Sequence, residues 1–376
     1  MPTDETLSIK ERLATTMAGL ASVEHKPRFR TLANGWRRLL IRIRDRLDRQ
    51  IGRRTMDNDW PDGLAALALA AAVRQGIAPA TDTGLRDFFE RRIDARGGWR
   101  QPPTRPSACM SGYGLLVLAD RESDPRYRIA LDQLADFLLH GMPRLLDGSI
   151  PYLRHLNLAL VDTLGMICPF LAGYGRRFDC PPASALSVHL LQRFIDDAVD
   201  HETGLPYHGY RPGSASRLGP HGWGRGTGWY LIGLVDTLLE LDETAVNRDR
   251  LATALRTAAA SLVRLQRPDG HWGWMVPMPE GCPDTSVAAF CGYALARGRR
   301  EGLLDASVDP AIRLAWSGLV TALRDDGALN GASGECFGVG HYSMIFGPQI
   351  WAGSAANAFG CTLVGLDGKD MEPAAV

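Results

Sequence analysis

Two kinds of helical pattern alternate along the chain. The first is charged and amphipathic, with apolar residues recurring at helix spacing on one stripe. It predicts helices over about 36–51, 84–95, 126–140, 184–199, 248–266 and 309–324. In the fourth, Leu186, Leu190, Leu191, Phe194 and Ile195 share a face, with Gln192, Arg193, Asp196 and Asp197 on the other side. The second kind is rich in Gly, Ala and bulky apolar residues and poor in charge. It covers about 60–75, 112–120, 159–173, 227–241, 285–298 and 349–360. A helix that is apolar nearly all round belongs in an interior.

The apolar helices begin near 60, 112, 160, 227, 285 and 349, in steps of 52, 48, 67, 58 and 64 residues. A repeat of this size predicts a stacked or closed array of helical hairpins. Similar loops follow the charged helices: Gly97-Gly98-Trp99, Asp147-Gly148-Ser149-Ile150-Pro151-Tyr152, Pro268-Asp269-Gly270-His271-Trp272 and Asp326-Gly327-Ala328-Leu329. Gly supplies the turn, and the short aromatic run after it predicts a strand or hairpin at a rim. Six inner and six outer helices predict an all-α fold, an (α/α)6 barrel. Outer helices need one wet face, and small residues let six inner helices converge. The loops entering the inner helices gather at one end, so a cleft is expected there. The barrel is expected to fill residues 26–365 as a single domain, with loose tails over 1–25 and 366–376.

Composition changes this picture little. The chain has 376 residues, 45% apolar and 22% charged, as in a globular protein with ample core. Lys+Arg and Asp+Glu both number 42, which argues against a protein that binds nucleic acid along its length. The balance hides unlike parts: residues 1–54 carry 13 basic and 6 acidic side chains, so the remainder carries 29 and 36. The excess is concentrated in Arg37, Arg38, Arg42, Arg44, Arg46, Arg49, Arg53 and Arg54, a solvated helix face or a surface for anionic glycan or membrane. Seven scattered cysteines without a C-x-x-C pair predict reduced thiols rather than disulfides or a zinc site. No apolar leader and no run of 18 apolar residues is present, so a cytoplasmic protein is expected.

Four constellations could carry chemistry. Asp162 opens the otherwise apolar stretch Leu160-Val161-Asp162-Thr163-Leu164-Gly165-Met166. A carboxylate there is either a first-turn helix stabiliser or a proton donor at the barrel mouth. His221-Gly222-Trp223-Gly224-Arg225-Gly226-Thr227-Gly228-Trp229 packs Trp and Arg among glycines. Glycines allow close approach of a ligand, an Arg fork binds carboxylate, and Trp faces stack on sugars. The competing reading is helix packing through glycine, with Trp as core. Thr203-Gly204-Leu205-Pro206-Tyr207-His208-Gly209-Tyr210 holds a His between two tyrosines. Asp284-Thr285-Ser286 opens the fifth inner helix and could be only a cap.

Val-Asp-Thr-Leu-Gly-Met, Thr-Gly-Leu-Pro-Tyr-His-Gly-Tyr, Trp-Gly-Arg-Gly-Thr-Gly-Trp-Tyr and Asp-Thr-Ser-x-x-Ala occur in this order over about 56–360. Together they closely resemble glycoside hydrolase families 88 and 105, the unsaturated glucuronyl and rhamnogalacturonyl hydrolases. The resemblance implies an (α/α)6 barrel and an anionic oligosaccharide substrate with a 4,5-unsaturated uronic acid at its non-reducing end. It implies that an Asp protonates the vinyl ether double bond, that water adds, and that the aglycone leaves after rearrangement. By position Asp162 matches the proton donor and His208 the family His. Arg225, Trp229 and Trp223 match residues lining the sugar site. Tyr207, His221 and Trp272 are expected to meet substrate beside them. No metal or organic cofactor is expected.

Two departures stand out. Family members usually carry another Asp in the loop before the second inner helix; Arg105-Pro106-Ser107-Ala108-Cys109-Met110-Ser111-Gly112-Tyr113 has no carboxylate. A family His near Pro151 is also missing, the nearest being His155. Another glycan-active hydrolase or lyase, or a glycan-binding barrel without catalysis, are the alternatives these departures leave. Gln266-Arg267-Pro268-Asp269-Gly270-His271-Trp272 resembles the Gln-Trp motif of triterpene cyclases, and Asp196-Asp197-Ala198-Val199-Asp200 the acidic motif of terpene synthases; both are weak matches. A zinc site from His201, His208, His221 and His271 lacks supporting spacing.

Overall fold

The computed structural model describes residues 59–366, apart from positions 78, 215, 337 and 341. Six helices form an inner ring: α1 (Trp60–Arg74), α3 (Ser111–Arg121), α5 (Val161–Arg177), α7 (Gly224–Glu240), α9 (Thr285–Arg300) and α11 (Ile350–Leu363). Between them in sequence run α2 (Pro79–Glu90), α4 (Pro125–Asp136), α6 (Pro181–Ala198), α8 (Arg248–Leu265) and α10 (Asp309–Ala322). Each inner helix packs on the next, and α11 returns to α1, so the ring closes. This is the (α/α)6 barrel that the alternating pattern predicts. The outer helix expected over 36–51, its arginine run and the tail over 1–25 lie outside the described residues.

Glycine sets the spacing of the inner ring. A Cβ on Gly165 of α5 would lie 2.6 Å from the Trp229 carbonyl oxygen of α7. One on Gly228 of α7 would lie 2.4 Å from Phe290 of α9, and one on Gly292 of α9 2.4 Å from Phe359 of α11. Successive helices therefore meet through a glycine facing a bulky residue, which brings the axes close at close-packed density. The outer helices begin cleanly, because proline opens α2, α4 and α6 at a position whose N–H is spare. For α2 this moves the helix forward of the predicted 84–95. The residues after Glu90 instead form a hairpin bridged between Ile93 and Trp99, turned at Gly97 with φ 85°.

The loops that lead into the inner helices carry the strands. Antiparallel β1 (Ala159–Leu160), β2 (Gly209–Tyr210) and β3 (Arg217–Leu218) form one small sheet. Antiparallel β4 (Leu329–Ser333) and β5 (Phe346–Gln349) form a hairpin, with β4 against α9, α10 and α11. No helix among the described residues is long and apolar enough to cross a membrane.

Gly165→Val should lower unfolding stability by about 1–3 kcal/mol or more through overpacking against α7. Gly347→Ala, with no atom within 4 Å of the added Cβ, should stay within about 0.5 kcal/mol of the parent. Urea unfolding curves compare the two.

Candidate active site

Asp162 occupies the first turn of α5, where the helix dipole favours an anion. Its carboxylate is 16% exposed at the barrel mouth. His208 arrives beside it through the small sheet. Leu160 pairs with Gly209, and the Val161 amide donates to the His208 carbonyl at 2.8 Å. The register places the residue after β1 next to the residue before β2, and His208 Nε2 lies 3.1 Å from Asp162 Oδ2. Gly209 is required for this approach, since a Cβ there would sit 2.3 Å from the Ala159 carbonyl oxygen.

The other nitrogen of His208, Nδ1, bonds the Tyr342 hydroxyl. Tyr342 comes from the loop between β4 and β5, far from His208 in sequence. Its ring lies 5.3 Å from that of Trp223 and 5.4 Å from that of Trp274, both nearly edge-on. Trp223 also packs on the His208 ring at 4.7 Å. Burial pushes the Tyr342 phenol well above its usual pKa.

Arg225 enters from the first turn of α7 and is 4% exposed. Its guanidinium lies between Trp223 and Trp351, at 5.0 and 5.1 Å from the ring centres. NH1 donates to Ser333 Oγ at 2.6 Å and NH2 to the Gly334 carbonyl at 2.9 Å. Among the described residues it has no carboxylate partner. A buried cation fixed by neutral groups keeps a field that an anion can satisfy. Asp284 secures this arrangement. It caps α9 by accepting from Ser286 N at 3.0 Å, and the same oxygen accepts from Ser333 N at 3.2 Å. The Asp-Thr-Ser motif is thus a cap that also anchors the strand holding Arg225.

Several other groups at the mouth were not visible as site residues in sequence. Cys336, half-buried on the same loop as Tyr342, interacts with the charges of Asp162 and Arg225. Burial first, and then Asp162, push its thiol up to about 11. Asp59 caps α1 by accepting from Trp60 N at 2.9 Å and lies 3.5 Å from Arg105. Burial raises the Tyr152 phenol well above its usual pKa, and the charges of Asp59 and Asp162 raise it further. The loop that lacks the family Asp therefore presents Arg105 toward a carboxylate supplied by the first inner helix.

Other expected site residues lie elsewhere. Trp229 is 1% exposed and packs edge-on against Phe290 at 4.7 Å and Trp60 at 6.2 Å. One helical turn below Arg225, it belongs to the packing layer under the mouth. Trp272 is also sealed, because its indole N–H turns outward to the Leu262 carbonyl of α8 at 2.9 Å. Neither therefore presents a face to the cleft. Gly224, Gly226 and Gly228 face Val287, Val161 with Trp223, and Phe290. These glycines serve helix packing, and Trp223, itself only 1% exposed, reaches the candidate site through its ring contacts with His208, Tyr342 and Arg225. Tyr207 and His221 stack at 5.0 Å on the rim, with Arg217 over Tyr207 at 5.3 Å. His155 is exposed. No three His, Cys, Asp or Glu side chains among the described residues gather as a metal site. Asp196 and Asp197 pair with Arg250 and Arg193 on the outer surface of α6.

The family profile of Glycosyl Hydrolase Family 88 matches residues 41–345. The chain belongs to that family. Over 243 residues it is 24% identical to the unsaturated rhamnogalacturonyl hydrolase YesR of Bacillus subtilis (strain 168), covering 63% of this chain and 70% of the relative. A possible member of family GH105 from Klebsiella pneumoniae superposes with TM-score 0.81 at 18% identity, over 96% of this chain and 94% of the other. The unsaturated glucuronyl hydrolase of Bacillus sp. GL1 superposes with TM-score 0.62 at 18% identity, over 84% and 88%. This family 88 chain is a glycoside hydrolase, and its members' barrel is the fold seen here.

With its thiol at about 11, Cys336 is almost wholly protonated at neutral pH. Its alkylation by iodoacetamide should therefore rise about tenfold per pH unit between roughly pH 7 and 10. Peptide mapping of the alkylated protein measures this, and a flat profile would contradict the assignment.

Proposed function

We propose that this family 88 hydrolase removes a 4,5-unsaturated uronic acid from the non-reducing end of oligosaccharides produced by polysaccharide lyases. One observation carries the reading: Asp162, paired with His208, shares the barrel mouth with a buried Arg225 that has no carboxylate partner among the described residues. An unsaturated uronide offers a complementary pair of features, a carboxylate and an electron-rich double bond. The names of the curated relatives support the same substrate class.

The chemistry follows from the groups present. Arg225 receives the sugar carboxylate, and the indoles of Trp223 and Trp351 flank the guanidinium and exclude water. Asp162 in its acid form delivers a proton to C4. The positive charge that develops at C5 is shared with the ring oxygen and lies beside the resulting carboxylate. Water adds at C5 and its proton returns to Asp162. The C5 hemiketal opens to a ketone, leaving a hemiacetal at C1 that expels the aglycone as an alcohol. No atom of the protein becomes bonded to the sugar. This differs from displacement at the anomeric carbon, which requires a carboxyl group on each side of the bond.

The conjugated double bond absorbs in the ultraviolet, so the enzyme should bleach that absorbance with lyase-generated oligosaccharides. Asp162→Asn should reduce kcat by about a hundredfold or more at unchanged melting temperature. Arg225→Lys keeps the charge but loses the fork, and should raise KM roughly tenfold for a carboxylated substrate. Absence of bleaching across glucuronyl, galacturonyl and rhamnogalacturonyl substrates would overturn the reading. Growth of the same absorbance on saturated glycans would indicate a lyase.

A further inference from the structure

We propose that Tyr342 is a positioning residue that fixes the tautomer of His208 and thereby decides which oxygen of Asp162 carries the acid proton. The proposal rests on the reading of Asp162 as the proton donor. His208 is 2% exposed, and each ring nitrogen has one protein partner: Asp162 Oδ2 at Nε2 and the Tyr342 hydroxyl at Nδ1. A neutral imidazole carries one N–H, so one nitrogen donates and the other accepts. The buried phenol keeps its proton at neutral pH. An ionised carboxylate only accepts, so beside Asp162 the ring proton sits on Nε2 and the Tyr342 hydroxyl donates to the bare Nδ1. Nε2–H donates to Oδ2 of Asp162. Oδ2 is thereby held as an acceptor, and when Asp162 is protonated the proton lies on Oδ1, free to pass to C4.

Without the phenol O–H, the Nδ1–H tautomer becomes accessible. Its Nε2 lone pair would then accept the Asp162 proton and divert it from the substrate. The balance is that of the parent reaction: one proton leaves Oδ1 for carbon, one from water replaces it, and His208 and Tyr342 gain and lose none. The other groups facing this chain of bonds are Cys336 and Tyr152, which both interact with the charge of Asp162, and Arg225, which acts on Cys336. None of them bonds a nitrogen of His208 among the described residues.

Tyr342→Phe tests the role, because it keeps the ring that packs on Trp223 and Trp274 and removes only the hydroxyl. Nitrogen-15 NMR of histidine-labelled protein, with the His208 signals assigned by His208→Gln, should show protonated Nε2 and bare Nδ1 in the parent. In Tyr342→Phe the same signals should show a mixture of tautomers. On an unsaturated uronide, kcat should fall about tenfold or more with KM within about twofold, and the pH profile of kcat should shift. A parent protein with protonated Nδ1, or a variant with unchanged His208 signals, would overturn the proposal. So would an unchanged kcat and pH profile in an active variant. A parent inactive on every unsaturated uronide, whose His208 signals still depend on Tyr342, would overturn the functional reading and leave the tautomer assignment standing.

Discussion

A single main-chain hydrogen bond, from the Val161 amide to the His208 carbonyl, ties the start of an inner helix to a rim loop. The meeting of carboxylate and imidazole at the barrel mouth depends on it. It fixes the register of β1 on β2, so that Asp162 and His208 meet although 46 residues separate them. The register in turn depends on Gly209, because any side chain there would push the strands apart. The imidazole is then held, buried, between a carboxylate and a phenol. A side-chain pair placed by backbone pairing loses little further conformational freedom when a substrate arrives.

The second feature is a cation that no acid among the described residues pairs with. Arg225 is buried and sandwiched by two indoles, and its nearest oxygen partners are a hydroxyl and main-chain carbonyls. Replacing these by a carboxylate would neutralise the cation. The local field is set by which oxygens the β4 strand presents, and Asp284 controls that strand from one residue removed.

The barrel was legible in the sequence because burial all round and burial on one side leave different patterns, and the repeat counted the hairpins. Helix ends were less legible: Pro79 starts α2 early, and Gly97 redirects the residues expected to continue it. Asp162, His208, Arg225 and Trp223 stood out as candidates because each lies beside the helix start or strand that positions it. Tyr342 and Cys336 did not, because only tertiary folding of the β4–β5 loop carries them to His208 and Asp162. Asp59 was hidden as an ordinary cap. Trp229 and Trp272 misled for a physical reason. Both adjoin functional positions in sequence, but one helical turn or one reversed indole puts each of them in the packed interior.

The central claim is that Asp162 delivers a proton to carbon rather than assisting displacement at the anomeric centre. Turnover of an unsaturated uronide in deuterium oxide, followed by NMR from the first turnovers, tests it most directly. The account predicts one deuteron at C4, placed on a single face and appearing in step with loss of the ultraviolet signal. Release of the aglycone with the double bond intact and no deuterium at C4 would contradict it.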